Sequence, residues 1–479
     1  MTAAGLTMAS RADQAPGLMH RTRRIHLIGI GGAGMSGIAE VLMNLGFEVS
    51  GSDQTHSATL ERLKRLGASV SVGHAADHIN NVDVVVVSGA VGEDNPEWQA
   101  AIDARIPVVA RAQMLGELMR FRAGIAIAGS HGKTTTTSMV AAILAQAGLD
   151  PTFVVGGLIH AYGTNARLGQ GQYLVAEADE SDASFLKLTP MMALVTNIDR
   201  DHLDAYQGSF DQLQSAFLEF LHHLPFYGVA VLCIDDPHVN QLLGHVARNV
   251  VTYGFSDRAD VRASGVVQHE ARMGFELHLP NTDSQAVELA LPGRHAVQNA
   301  LGAAAVAWEL GVAATDIVAG LQAFSGVGRR FEPMGTLALS GQRQVLAFED
   351  YGHHPTELDA VIQAARGGWP DKRLVLVFQP HRFTRTRDQF DAFARVLAEP
   401  DVLILADIYP AGEAPIPGID SQALAEAITQ RGDDRVRRIH SVDEAPACID
   451  RVCQDGDLLL IMGAGDVGRL AQTLKRSLA

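Results

Sequence analysis

The residues with the most chemical content lie in one stretch, Gly129-Ser130-His131-Gly132-Lys133-Thr134, which runs on into Thr135, Thr136 and Thr137. Two glycines let backbone N–H groups curl round an anion, a lysine at the loop's end reaches terminal phosphates, and a threonine hydroxyl can ligate magnesium. The loop is a compact G-x-x-G-K-T, because Ile127 stands where the longer phosphate-loop pattern has its first glycine. Four consecutive threonines are poor helix starters unless the first turn uses their oxygens.

A second set is acidic. Glu177, Asp179, Glu180 and Asp182 close an apolar run that starts at Tyr173. An acid at the carboxyl end of a strand beside a phosphate loop is a natural magnesium partner, and Glu177 is the first choice. The other three read as solvent-exposed carboxylates. Farther on, Asp199-Arg200-Asp201-His202 sets a histidine among carboxylates, where it could ligate a second metal or orient a phosphate.

Other candidates sit at both ends of the chain. Gly29, Gly31 and Gly34 form a G-x-G-x-x-G, with Asp53 about where a ribose-binding acid would stand. These glycines report a close approach to a diphosphate without saying which one. Arg329 and Arg330 lie on a glycine-rich hinge suited to closure onto a transferring phosphoryl group. Three polar clusters follow: Asp350 to Pro355, Gln379 to Arg385 and Asp407 to Gly412. Within them, Arg382 and Arg385 could hold a carboxylate bidentately.

Regular elements must carry these side chains. Apolar runs at Ile25–Ile28, Val82–Val87, Ile125–Ala128, Tyr173–Ala178, Met192–Ile198 and Val229–Ile234 predict strands, with helical spacing after Gly34 and from Met139. The last third alternates strands at 345–349, 373–378, 402–406 and 458–461 with helical patterns such as Asp388 to Leu397, so it predicts a parallel sheet covered by helices. An Ala-rich helix from Ala296 to Leu310 carries Asn299 on its first turn. The fold class is α/β. It comprises an N-terminal Rossmann-like domain (25–120), a central P-loop ATPase-type parallel sheet (121–333) and a C-terminal Rossmann-like domain (334–479). Residues 1–24 are polar, with no apolar core of secretory length, and read as a disordered tail.

Composition narrows the classes. With 38 Lys plus Arg against 54 Asp plus Glu the net charge is −16, which argues against non-specific nucleic-acid binding and anionic membranes. Three cysteines, Cys233, Cys448 and Cys453, follow no metal spacing and suit a reduced cytoplasmic compartment. No stretch is long and apolar enough to span a bilayer.

Taken in order, GIGGAGMSG, GSHGKTTTT, EADESD, NIDRDHLD, GRHAVQNA, GVGRRFE, DYGHHPTE, FQPHRFTRT and DIYPAGE resemble the Mur ligase family along nearly the whole chain after residue 24. The resemblance implies a UDP-sugar domain, a central ATPase and an amino-acid domain, with ATP and two magnesium ions (manganese substituting) as cofactors. The last three motifs look like the member that joins L-alanine to the lactyl carboxylate of UDP-N-acetylmuramate in peptidoglycan precursor synthesis. A sister ligase that recycles cell-wall tripeptide shares most of the motifs and is the alternative.

Carried over, Gly129 to Thr135 would cradle ATP, Lys133 would hold its β and γ phosphates, and Thr134 with Glu177 would ligate the first magnesium. His202 would bind the second ion, Asn299 adenine, Arg330 the γ phosphate and Asp350 the ribose. Tyr351, His353, His381, Arg382 and Arg385 would form the alanine side, and Gly31, Gly32, Asp53 and Ser88 the UDP side. The amine proton could pass to His202, His353 or bulk water. Two departures stand out. Ala296 occupies a usual asparagine position, and Phe217 stands where ligases for later amino acids place a carbamoylated lysine. A nicotinamide dehydrogenase would use Gly29 to Asp53 but leave the phosphate loop without a role, and a regulatory P-loop module would hydrolyse ATP without sugar or amino acid.

Overall fold

The computed structural model describes Met19 and residues 21–430 and 435–476. Residues 1–18 and 20, most of the expected N-terminal tail, lie outside the described residues. The chain divides into two compact units, Met1–Thr252 with Gly302–Gly320 and Tyr253–Leu301 with Leu321–Ala479.

The first unit begins with an all-parallel sheet of β1 (Arg24–Ile28), β2 (Glu48–Asp53), β3 (Ser69–Val72), β4 (Val84–Val87) and β5 (Val108–Ala110), in the order β3-β2-β1-β4-β5. Helices α1 (Ala33–Asn44), α2 (Ala58–Leu66) and α3 (Pro96–Asp103) make crossovers, a 3-10 turn at Ala76–Ile79 stands between β3 and β4, and α4 (Arg111–Met119) follows β5. Strand order reverses between β1 and β4, so the crevice outside their carboxyl ends is where such a sheet takes a ligand. Helix α3 is fixed at its start by Asn95, whose side chain accepts from the N–H groups of Glu97 and Trp98, with Pro96 pre-set for the first turn.

The same unit continues with β6 (Ala123–Ala128), α5 (Lys133–Gln146), β7 (Thr152–Ile159), β8 (Thr164–Arg167), β9 (Tyr173–Glu177), β10 (Met192–Val195), α6 (Phe210–His222) and β11 (Val229–Cys233), and β12 (Asn249–Gly254) comes next in the chain. Its strands neighbour one another as β11-β10-β6-β9-β7-β8, parallel but for the β7–β8 hairpin. β6 is central and buried from Gly124 to Ala128, which accounts for its unbroken apolar run. Arg62 on α2 donates to Glu40 on α1 at 2.5 Å and to Thr164 on β8 at 2.9 Å, tying the two sheets of this unit together.

In the second unit, β13 (Val261–His269), β14 (Arg272–His278) and β15 (Gln285–Leu289) form an antiparallel meander. A six-stranded sheet follows: β16 (Glu332–Ala338), β17 (Gln344–Asp350), β18 (Leu374–Phe378), β19 (Val402–Ala406), β20 (Val436–Ile439) and β21 (Leu458–Met462). The order is β16-β17-β21-β18-β19-β20, parallel except for edge strand β16.

Three expectations are corrected. The central helix starts at Lys133 rather than Met139, because all four threonines fold into its first turns. The helix expected over Asp388 to Leu397 is two, Phe383–Asp388 and Phe390–Val396, broken where Gln389 leaves helical geometry at φ −112°. Glu180, expected to be exposed, is 2% exposed. Cys233, Cys448 and Cys453 are all buried, and burial pushes the Cys233 and Cys453 thiols up to about 12, so neither is a thiolate at neutral pH. Among the described residues no helix is long and apolar enough to cross a membrane.

Candidate active site

The phosphate loop is shaped by the strand end beside it. Gly129 takes φ +128°, and a Cβ there would lie 2.0 Å from Thr196 Oγ1, so only glycine fits. Asn197 then holds the turn from both sides. Its side chain accepts from the His131 N–H at 2.8 Å and donates to the His131 carbonyl at 3.0 Å, and its own carbonyl accepts from the Ser130 N–H at 3.0 Å. Ser130 Oγ accepts from the Asp199 N–H at 2.8 Å, and His131 Nε2 lies 2.9 Å from Asp199 Oδ2. The N-I-D segment is therefore the template of the loop.

Gly132, at φ +83°, turns the chain into α5, and no side chain caps that helix. The first N–H groups of an uncapped helix, with the positive end of its dipole, make a cradle for an anion. The threonine run fits here for a reason its propensities hide. Thr137 Oγ1 donates to the Lys133 carbonyl at 2.8 Å and Ser138 Oγ to the Thr134 carbonyl at 2.7 Å, so these two hydroxyls are satisfied inside a helix buried on nearly all sides, while the buried Thr136 hydroxyl is not. Thr134 and Thr135 sit in the opening turn, each 9% exposed.

Lys133 Nζ donates to both oxygens of Glu180, at 2.9 and 2.8 Å, and to the carbonyls of Gly129 at 2.6 Å and Ser130 at 3.2 Å. Burial works against the ammonium charge, but Glu180 and Asp179 outweigh it and raise the lysine pKa. On the other side burial lifts the Glu180 carboxyl to about 7, with Lys133 opposing the rise. Tyr206 closes the pocket by donating its hydroxyl to the Glu180 carbonyl at 2.5 Å. Glu177 ends β9 with Oε1 accepting from the Gly156 N–H at 2.7 Å. His202 stands at φ +53° just before a short 3-10 turn, its Nε2 3.4 Å from Asp201 Oδ2. Thr134 and Glu177 supply hard oxygen donors, the kind magnesium selects. Phe217 is fully buried in edge contact with Phe185, a core position with no metal or carbamate chemistry.

The glycine turn after β1 is held from β2. The Ser52 carbonyl accepts from the N–H groups of Gly29 at 2.8 Å and Ile30 at 3.0 Å, and Asp53 Oδ2 accepts from the Gly31 N–H at 2.9 Å. A Cβ on Gly31 would come within 2.8 Å of that same oxygen. Asp53 therefore clasps the turn itself, and Ser88 stands at the end of β4, its Cβ 3.0 Å from where a Gly29 side chain would begin. Gly31, Gly32, Asp53 and Ser88 thus gather at the switch point of one sheet.

In the second unit the two arginines divide. Arg329 Nε donates to buried Glu349 at 2.8 Å and Nη2 to the Gly463 carbonyl at 2.8 Å, which makes it an anchor. Arg330 lies over the Tyr351 ring at 5.2 Å and, after burial, is the main influence that lowers His295 to about 4 and keeps it neutral. Asp350 accepts from the Phe331 N–H at 2.8 Å and the Gly352 N–H at 2.6 Å, while burial raises its pKa. Tyr351, His353, His381 and Tyr409 run as a chain of ring contacts at 5.3, 5.8 and 5.4 Å. Arg382 takes φ +72° and donates its N–H to the Tyr409 carbonyl at 2.8 Å, which joins the second and third polar clusters. Arg385 is 8% exposed beneath them. Asn299 and Ala296 are both buried on the helix Arg294–Glu309.

Sequence reasoning missed Glu180, Asn197, Tyr206 and His295. Asn197 and His295 lay inside quoted motifs, but their value depends on which backbone groups they face, and residue spacing carries no such information.

The comparisons agree with this architecture. The model of the Mur ligase family catalytic domain matches residues 24–123, that of the Mur ligase middle domain 127–307, and that of the Mur ligase, glutamate ligase domain 329–465. A UDP-N-acetylmuramate–L-alanine ligase of Xanthomonas euvesicatoria pv. vesicatoria is 57% identical over 97% of this chain and 98% of its own length, and one of Xanthomonas campestris pv. campestris is 57% identical over 98% of each. Among solved structures, a UDP-N-acetylmuramate-alanine ligase of Thermotoga maritima has a TM-score of 0.79 at 26% identity, covering 95% of this chain and 99% of that one. A murein peptide ligase of Psychrobacter arcticus has a TM-score of 0.70 at 25% identity, covering 95% and 98%. Three domain models in sequence and a 57% identity that runs nearly end to end establish that this chain belongs to the Mur ligase family.

Proposed function

We propose that the protein is an ATP-dependent ligase joining L-alanine to the lactyl carboxylate of UDP-N-acetylmuramate, acting in the cytoplasm. The observation that carries the chemistry is the uncapped start of α5 behind the Gly129–Gly132 turn, with Lys133 beside it. The substrates are those in the names of relatives 57% identical over almost the full length. Part of this reading is the division into a UDP-sugar domain (25–120), an ATP domain (121–333) and an amino-acid domain (334–479).

The lactyl carboxylate oxygen attacks the γ phosphorus of ATP. The bond to the bridging oxygen breaks, leaving ADP and an acyl phosphate. The alanine amine then attacks the acyl carbon, phosphate departs with the bonding pair, and loss of the amine proton leaves an amide. Lys133 and the N–H groups at the start of α5 hold the β and γ oxygens, and Arg330 opposes charge on the γ phosphoryl. Thr134, Glu177 and His202 would hold two magnesium ions, for which manganese could substitute; when bound these neutralise phosphate charge. Asn299 and Asp350 are assigned to adenine and ribose, Gly31, Gly32, Asp53 and Ser88 to the UDP portion, and Tyr351, His353, His381, Arg382 and Arg385 to alanine. His353, His202 or bulk water takes the amine proton.

The test is product analysis with L-alanine and with tripeptide as competing acceptors at equal concentration. Alanyl product alone supports the proposal, and tripeptide product alone moves the chain to the recycling ligase.

A further inference from the structure

The first unit buries a carboxylate that the chemistry above does not use. Glu97, near the start of α3, is fully buried. Its Oε2 accepts from Ser52 Oγ at 2.5 Å and lies 3.4 Å from His74 Nδ1 and 3.5 Å from His26 Nε2. Its Oε1 is 2.5 Å from His78 Nδ1 and accepts from the Ala75 N–H at 3.3 Å. A carboxylate only accepts, so the hydroxyl and the close ring nitrogen facing it present hydrogens. Burial alone would raise this carboxyl, but His26, Ser52 and His78 outweigh it and bring it to about 2, so Glu97 is an anion held by its neighbours. Burying a charge this completely is costly unless it is paired and hydrogen-bonded, as Glu97 is here.

Its partners point to what it positions. His26 is in β1 and its Nδ1 meets Ser50 Oγ of β2 at 2.9 Å. His74 and Ala75 follow β3, and His74 Nδ1 also meets Ser52 Oγ at 2.9 Å. Ser52 is the centre of this web. Its hydroxyl binds Glu97, its carbonyl takes the N–H groups of Gly29 and Ile30, and the next residue, Asp53, takes the N–H of Gly31. One hydrogen-bonded path therefore runs from the buried anion to three successive N–H groups of the glycine turn.

We infer that Glu97 is a positioning residue for the UDP-sugar: through Ser52 it fixes the end of β2, and with it the aim of the Gly29–Gly32 turn at the sugar nucleotide's diphosphate. This rests on the assignment of that turn to the UDP portion in the proposed function. The hydrogen bonds of the web join residues 26, 50, 52, 74, 75, 78 and 97 to the Gly29–Gly31 turn, so its effect falls on one substrate of three.

The test compares wild type with Glu97→Ala, Glu97→Gln and Ser52→Ala, by calorimetric titration with UDP-N-acetylmuramate and by KM for each substrate. Losing a charge-assisted hydrogen bond that aims the turn raises the Kd and KM for UDP-N-acetylmuramate ~10-fold or more in Glu97→Ala and Ser52→Ala. The KM values for ATP and L-alanine stay within about two-fold, and Glu97→Gln, which keeps an acceptor for Ser52, recovers most of the loss. A purely structural role would lower the melting temperature and the active fraction while leaving KM values unchanged or moving all three together, and that result overturns the inference. Should Glu97→Ala fail to fold, Ser52→Ala, which removes one hydroxyl, decides. Wild type that fails to bind UDP-N-acetylmuramate overturns the proposed function and this inference with it. Wild type that binds it as tightly as Ser52→Ala overturns the inference alone.

Discussion

Replacing Lys133 by methionine leaves Glu180 sealed inside the first unit without its cation. In the intact protein burial already lifts that carboxyl from 4.5 to about 7 while Lys133 opposes the rise, so removing Lys133 carries it higher. A raised carboxyl pKa means the folded protein keeps a proton that the unfolded chain has released, and stability then falls as pH climbs from the unfolded value to the folded one. In wild type that decline ends near pH 7. Lys133 itself adds no slope there, because a lysine with a raised pKa contributes a constant amount at every pH below its ordinary value. In Lys133→Met the decline continues past neutrality at about 1.4 kcal/mol per pH unit, and between pH 7 and pH 9 the variant falls behind wild type by up to about 3 kcal/mol. Urea unfolding at fixed pH steps, followed through the transition of this unit, measures the difference. Adding Glu180→Gln to the variant removes the titrating group and flattens the profile. Parallel profiles for wild type and Lys133→Met would refute the coupling. Turnover of the same variant should drop by ~100-fold or more, since a cation facing the transferring phosphoryl group is gone.

Further outcomes follow from individual contacts. Gly129→Ala sets a methyl group 2.0 Å from Thr196 Oγ1 at a backbone angle of +128°, so it should cost about 2 kcal/mol or more in unfolding free energy and remove ATP-dependent turnover. Arg329→Ala removes the closer cation from Glu349, which is 3% exposed and keeps Lys475 Nζ at 3.4 Å, and should destabilise the second unit by about 2 kcal/mol, whereas Arg330→Ala should leave melting nearly unchanged and lower turnover. Asn197→Ala removes the side-chain acceptor of the His131 N–H and one donor to the His131 carbonyl, which keeps Thr196 Oγ1 at 2.6 Å, and should raise the KM for ATP, with about 1–3 kcal/mol lost from stability.

Local signals announced themselves in the sequence where one residue type has one backbone use. The glycines at 29, 129 and 132 adopt the positive φ values that their turns need, and the valine and alanine runs of β4 and β6 are buried central strands. The candidate residues fall on different sheets: Gly31, Asp53 and Ser88 at one switch point, Tyr351, His353 and His381 along another sheet's strand ends. Long-range electrostatics were unreadable. Glu180 and Asp182 look alike in the chain, yet one is buried against Lys133 and the other exposed, because only folding decides which carboxylate meets the ammonium. The same holds for Glu97, whose five partners come from residues 26, 52, 74, 75 and 78. The β13–β15 meander was missed although β14 carries a legible period of two, with Met273, Phe275 and Leu277 buried between Arg272, Gly274, Glu276 and His278.

The most direct measurement is phosphate release from magnesium ATP with UDP-N-acetylmuramate, with and without L-alanine, and with the tripeptide in alanine's place. Release that requires the muramate nucleotide and alanine together, with one amide formed per phosphate, is the predicted result. Release indifferent to both, or dependent on the tripeptide, would contradict the assignment.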